Sequence, residues 1–168
     1  LANPATLPPD NAFGVAWSPS SEFLAVANNL SPGINIYQRG GTTFTKLTNP
    51  TTVPTSRSNC VAWSPSGEFL ALGDSLTPFI YIYQRSAGTG TSSTFLKLAN
   101  PSSLPTSEVQ GAAWSPNGEF LALSLNLTPF MAVYQKSGSG STSIFTRLSA
   151  PSTLPAGDGR GAAWSPNG

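Results

Sequence analysis

GAAWSPNGEFLAL, residues 111–123, is the stretch that decides the fold, because close copies of it recur along the chain. GVAWSPSSEFLAV begins at Gly14, CVAWSPSGEFLAL at Cys60, and GAAWSPNG runs from Gly161 to Gly168. Aligned on Trp17, Trp63, Trp114 and Trp164, the copies are 46, 51 and 50 residues apart. Each Trp is followed 20 residues later by the Tyr of a YQ pair (Tyr37, Tyr83, Tyr134), so the changes in length fall further on. They lie between that Tyr and the next Phe (Phe44, Phe95, Phe145), where gaps of 7, 12 and 11 residues are rich in Gly, Ser and Thr. Such a segment reads as a surface loop, which tolerates insertion. Self-similarity at a near-constant period marks an architecture of like units, each too small to bury a core alone.

The four copies divide residues 1–168 into repeats at 1–46, 47–97 and 98–147, with an incomplete one at 148–168. Every repeat opens on a connection: LANPATLPP from Leu1, LTNPTTVPT from Leu47, LANPSSLPT from Leu98 and LSAPSTLPA from Leu148. Its two prolines deny the segment regular ladder bonding, so it reads as an extended surface crossing pinned by Leu7, Val53, Leu104 or Leu154. A first strand of small residues then runs into the Trp and stops at SPSG or SPNG, where Pro presets a turn and Gly tolerates positive φ. In the first copy Ser21 replaces that Gly, which predicts a more strained turn. EFLAVA, EFLALG and EFLALS read as a second strand buried on both faces. INIYQR, IYIYQR and MAVYQK form a third, and FTKL, FLKL and FTRL an alternating, half-wet fourth.

Composition agrees with short strands and many turns: 9% charged residues, with 16 Gly and 16 Pro. The net charge of +1 and the lack of a basic run exclude nucleic acid as a partner. No apolar run approaches the ~20 residues of a membrane span, so no membrane partner is expected. Cys60, the single cysteine, occupies the place of Gly14, Gly111 and Gly161, and reads as a small buried residue. Asn29-Leu-Ser and Asn126-Leu-Thr match the N-glycosylation pattern, but an Asn ahead of a turn accounts for them equally well. Neither end reads as a natural terminus, and the compartment is left open.

Four antiparallel strands per repeat, with SP[SN]G between the first two, resemble the blade of a WD-repeat β-propeller along the whole chain. WSP[SN]GEFLAL is similar to that family's apolar-Ser-Pro-Asp-Gly segment, and IYIYQR falls where its Leu-Trp-Asp ending would be. The chain has no His, so the family's Gly-His start is missing, and Tyr-Gln stands for Trp-Asp; the blade is divergent. The resemblance implies an all-β fold of three four-stranded blades plus one extra strand. A ring needs about four to eight blades, so closure by a homodimer of six is expected. The surplus strand at Gly161 to Pro166 either swaps into a partner or is the stub of a longer parent. A β-trefoil is the rival fold, but it does not call for a fourth WSPNG copy.

No catalytic constellation is legible: no His exists, and the seven carboxylates are scattered. The expectation is a non-catalytic interaction scaffold, with a carbohydrate-binding lectin as the alternative, and no enzyme, cofactor or metal. Function is sought where near-identical repeats differ. Just before the first strand they read PDNAF, TSRSN, TSEVQ and AGDGR. The resemblance puts this segment and the loop after the second strand on one face, where loops on a rigid frame serve recognition. Asp10, Asn11, Phe13, Arg57, Asn59, Glu108, Gln110, Asp158 and Arg160 are therefore the candidate contacts for a protein or glycan ligand.

Overall fold

The repeated turn sets each blade. Ser18, Ser64 and Ser115 each accept, through Oγ, the backbone N–H five residues on, at 2.9 Å in all three copies. This closes a hairpin whose tightest residue has positive φ: Gly67 at 69°, Gly118 at 72°, and Ser21 at 57°. The strain expected at Ser21 is thus present, because a Cβ is disfavoured in that region. The computed structural model describes residues 3–86 and 88–168. Leu1 and Ala2 of the first connection, and Ala87 of the second Tyr-to-Phe loop, lie outside the described residues.

Among the described residues twelve strands follow in chain order. The first blade holds β1 (Ala12–Trp17), β2 (Phe23–Asn28), β3 (Ile34–Gly40) and β4 (Thr43–Lys46). The second holds β5 (Ser58–Trp63), β6 (Phe69–Asp74), β7 (Ile80–Arg85) and β8 (Phe95–Lys97). The third holds β9 (Val109–Trp114), β10 (Phe120–Leu125), β11 (Met131–Ser137) and β12 (Ile144–Arg147). Each blade is a separate four-stranded antiparallel sheet in sequence order, which removes the trefoil. The inner strands lie side by side, β1 against β5 and β5 against β9.

The core lies between blades. One apolar cluster joins Phe23, Ala25, Ile34 and Ile36 of the first blade to Val61, Trp63, Leu70 and Leu72 of the second. Its counterpart joins Phe69, Ala71, Ile80 and Ile82 to Val109, Trp114, Leu121 and Leu123. At each junction the indole N–H crosses to a carbonyl of the preceding inner strand, Trp63 to Ala16 and Trp114 to Ala62, both at 3.2 Å. The ring also stacks on the preceding blade's Phe, with Phe23–Trp63 centroids 6.2 Å apart and Phe69–Trp114 centroids 6.0 Å apart.

The equivalent tryptophans are not equally covered: Trp63 and Trp114 are 8% exposed each, whereas Trp17 is 45% exposed. Each Trp packs on the blade before its own, and the described residues hold no blade ahead of Trp17. Leu7 fails to pin its connection for the same reason: it is exposed, while Val53 packs on the cluster between blades one and two. Residues 161–167, unplaced by the sequence, follow the third blade without ladder pairing. Trp164 nonetheless reaches Ala113 O at 3.0 Å and stacks on Phe120 at 6.0 Å. The segment thus occupies the innermost position of a fourth blade.

Side-chain volume is balanced across the β1–β2 type of pair. Gly14 faces Ala27, Cys60 faces Gly73 and Gly111 faces Ser124, so at least one member of each pair is glycine. A Cβ on Gly73 would lie 2.6 Å from Cys60 Sγ and 2.5 Å from a methyl of Val109. Burial pushes the Cys60 thiol up to about 12, which fits a packing role for it. Gly73→Ala should therefore destabilise by about 1–3 kcal/mol through overpacking. Adding Cys60→Gly should recover part of that loss, as read by urea denaturation of the single and double variants.

Candidate functional site

The inner strands carry an irregularity at one recurring position. Ala12 pairs with Asn28 and Gly14 with Ala27, which leaves Phe13 as an extra residue in β1. Asn59 is the extra residue between Ser58 and Cys60, and Gln110 between Val109 and Gly111. A bulge of this kind bends a strand and re-aims a side chain. Arg160 holds the same position ahead of Gly161. These are four of the positions at which the repeats differ. Together with Arg57 they line a single cavity of about 420 Å³.

Arg57 organises the middle of the site. Its Nε donates to Asn59 Oδ1 at 2.8 Å, a terminal nitrogen pairs with Glu108, and the guanidinium lies 5.6 Å from the Phe13 ring centroid. Glu108 also accepts from Asn59 Nδ2 at 2.9 Å and from Asn126 Nδ2 at 3.1 Å. Asn59 donates further to Val109 O at 2.9 Å, which ties blade two to blade three. At the open end Arg160 pairs with Asp158 at 3.1 Å. The Arg160 side chain is 84% exposed, so its remaining donors face solvent.

The nine candidate residues therefore divide. Phe13, Arg57, Asn59, Gln110 and Arg160 line the cavity; Glu108 and Asp158 hold its two arginines. Asp10 and Asn11 lie on the rim of blade one. Asp10 accepts from Asn29 Nδ2 at 3.0 Å, and this bond, with the Asn11 backbone N–H, holds its carboxyl below the usual range. Asn126 is a member of the site that the candidate set omitted, although the sequence places it in the loop after the second strand. Among the described residues, no cluster of three His, Cys, Asp or Glu side chains could hold a metal ion.

Removing Glu108 would take away the carboxylate that Arg57, Asn59 and Asn126 share, leaving Asn59 only Val109 O and Arg57 only Asn59 Oδ1. Glu108→Ala should cost about 1–3 kcal/mol. Asp158→Ala should stay within about 0.5 kcal/mol, since an exposed pair contributes little. Urea denaturation of the two variants checks the contrast.

No family model matches the chain, and no curated protein matches it. Solved structures do. A protein of Bacteroides fragilis assigned as a 6-phosphogluconolactonase superimposes with a TM-score of 0.68 at 15% identity, over 83% of this chain and 39% of its own. The periplasmic gluconolactonase of Pseudomonas aeruginosa gives 0.64 at 20% identity, over 88% and 44%. Sqt1 of Saccharomyces cerevisiae gives 0.63 at 13% identity, over 89% and 37%. The chain thus spans less than half the length of each.

The expectation of a non-catalytic scaffold or lectin, and of no enzyme, is overturned by this comparison. Blades of this shape occur in proteins named as lactonases, so neither the fold nor the want of a local motif excludes catalysis. The physical reason lies in the cavity, whose lining comes largely from one residue per repeat, about 50 positions apart in the chain. Such a set leaves no compact signature in the sequence. In its three four-stranded sheets and their neighbours, the chain is a partial β-propeller built of divergent, WD-repeat-like blades.

Proposed function

We propose that the inner rim binds a small polyhydroxylated acid and hydrolyses its lactone. The observation that carries the reading is the convergence of two arginines, two amides and one aromatic ring on a cavity of about 420 Å³. That volume lies in the range of small-molecule sites. The free edge of Arg160 suits a phosphate or carboxylate, which guanidinium binds in a fork. The Gln110 side-chain amide offers the donors and acceptor that sugar hydroxyls need, and the face of Phe13 suits the apolar side of a sugar ring.

Lactone hydrolysis adds water to the ester carbonyl, passes through an oxyanion, and cleaves the ring C–O bond to give an acid and an alcohol. It needs a group to accept the water proton and donors where negative charge develops. Asp158, half-exposed beside the cavity, is assigned the proton. The N–H groups of Gln110 and Arg160 are assigned the oxyanion. Glu108, engaged by three side chains, positions Arg57. Similarity to proteins named as gluconolactonases supports the reaction class through the shared fold.

The test is ring opening of 6-phosphogluconolactone and of glucono-1,5-lactone, followed by proton release against the spontaneous rate. The expected result is hydrolysis above background, reduced about 100-fold in Asp158→Asn. Loss of the phosphorylated substrate's advantage in Arg160→Ala is also expected. Rates equal to buffer for both lactones would overturn the proposal.

A further inference from the structure

Leu30, Leu76 and Leu127 hold one position of the three repeats, in the loop between the second and third strands, and are 53%, 61% and 61% exposed. Leu76 belongs to the middle blade, which has a neighbour on either side, so its exposure is a property of the repeat. A lone exposed leucine is ordinary on a protein surface, whereas the same one in every repeat is not scatter. The residue before it changes (Asn29, Ser75, Asn126), and the one after it is Ser31, Thr77 or Thr128.

Core packing does not account for this leucine, yet its backbone is held firmly. The carbonyls of Leu30, Leu76 and Leu127 each accept the N–H three residues on, at 2.8, 2.7 and 2.8 Å, which closes a turn. The Leu76 N–H donates to Asp74 Oδ1 at 3.0 Å and the Leu127 N–H to Ser107 Oγ at 3.2 Å, while Leu30 O also accepts from Asn28 Nδ2 at 2.6 Å. The side chain is thus presented from a fixed main chain, so little loop-ordering entropy opposes its use in binding.

Charge is divided between the two ends of the blades. Asp10 binds Asn29, Asp74 binds the Leu76 N–H and Glu108 binds Asn126, so every leucine has a carboxylate tied to it or to the residue before it. With Asp158, four of the seven carboxylates lie at this end, against two of the eight cations, Arg57 and Arg160. The other cations lie toward the far end. Lys46, Lys97 and Arg147 pair with Tyr37, Tyr83 and Tyr134, in register with the tryptophans. Arg39, Arg85 and Lys136 lie beyond them, beside Glu22, Glu68 and Glu119. The leucine end is therefore the acidic end of a chain whose net charge is +1.

We propose that this leucine rim docks a cationic, apolar segment of another protein, the leucines meeting its apolar side chains and the carboxylates its lysines or arginines. Charge complementarity selects the occupant, because an anionic lipid surface would be repelled by the acidic end. Repetition supplies the affinity. One leucine gives a small contact, but several on one rigid frame engage the same segment together. The rim adjoins the cavity through the bonds of Glu108 to Asn126 and Arg57, and the inference does not depend on the lactonase reading.

Fluorescence anisotropy of labelled peptides with the full chain tests this without reference to activity: one peptide of leucine and lysine, one of leucine and glutamate, one of serine and lysine. The leucine–lysine peptide should bind, less tightly as salt is raised, and the other two should bind about tenfold more weakly or worse. Leu30→Ser, Leu76→Ser and Leu127→Ser combined should weaken the leucine–lysine peptide by about tenfold or more. Circular dichroism and the urea midpoint should not change, because these side chains are exposed. Leu76→Ser alone should show part of the loss, which keeps the test if the combined variant unfolds. No binding of the leucine–lysine peptide, equal binding of the leucine–glutamate peptide, or full binding by the folded leucine variants would each overturn the proposal. So would leucine-dependent sedimentation with phosphatidylcholine vesicles in place of peptide binding.

Discussion

An indole N–H reaching a backbone carbonyl on the neighbouring blade is the contact on which the rest of the structure depends. It occurs three times, from Trp63 to Ala16, Trp114 to Ala62 and Trp164 to Ala113, at 3.2, 3.2 and 3.0 Å. The carbonyl would otherwise be an unpaired acceptor beside an apolar junction, and the indole a buried donor, so each satisfies the other. The stacked Phe and the edge-on Phe of the fourth strand, Phe95 at 5.8 Å from Trp63 and Phe145 at 5.8 Å from Trp114, complete the clamp. A single blade is a thin sheet with two faces to cover. This contact fixes how the next one covers it, which is why the Trp and the small residues before it recur while loops do not.

The same constraint frees the rim. With blades held by Trp, Phe and the aliphatic residues of the second and third strands, the bulged residue at the head of each inner strand has no packing duty. It is Phe, Asn, Gln and Arg in the four copies. These side chains turn toward a common cavity, and the ion pairs of Arg57 and Arg160 shape it. The scaffold and the cavity lining are thus carried by different residues of one short segment, in which Gly111 packs and its neighbour Gln110 faces the cavity.

Much of this was legible in the sequence. The WSP[SN]GEFLAL copies, the constant Trp-to-Tyr interval and the turn glycines predicted four-stranded blades, and positive φ at Ser21 followed from its place in the turn. The differing residues before each inner strand pointed to the cavity lining, since identical scaffolding exposes the positions that packing leaves free. What was not legible depends on neighbours. Trp17 and Trp63 sit in equivalent sequence, yet one is half-exposed and the other buried, because burial is set by the blade before. Asn126 escaped because its bond to Glu108 joins two loops 18 residues apart. The exclusion of catalysis did not hold because blades of this shape occur in proteins named as lactonases, and a cavity lined by single residues of successive repeats carries no motif to find.

The central claim is that stability resides in the junctions between blades, with the tryptophan as the clamp. Urea denaturation of Trp114→Ala and of Trp17→Ala addresses it directly. The account predicts a loss of roughly 3–5 kcal/mol for Trp114→Ala, as for a large buried aromatic, and under about 1 kcal/mol for Trp17→Ala. Equal losses at the two positions would contradict it.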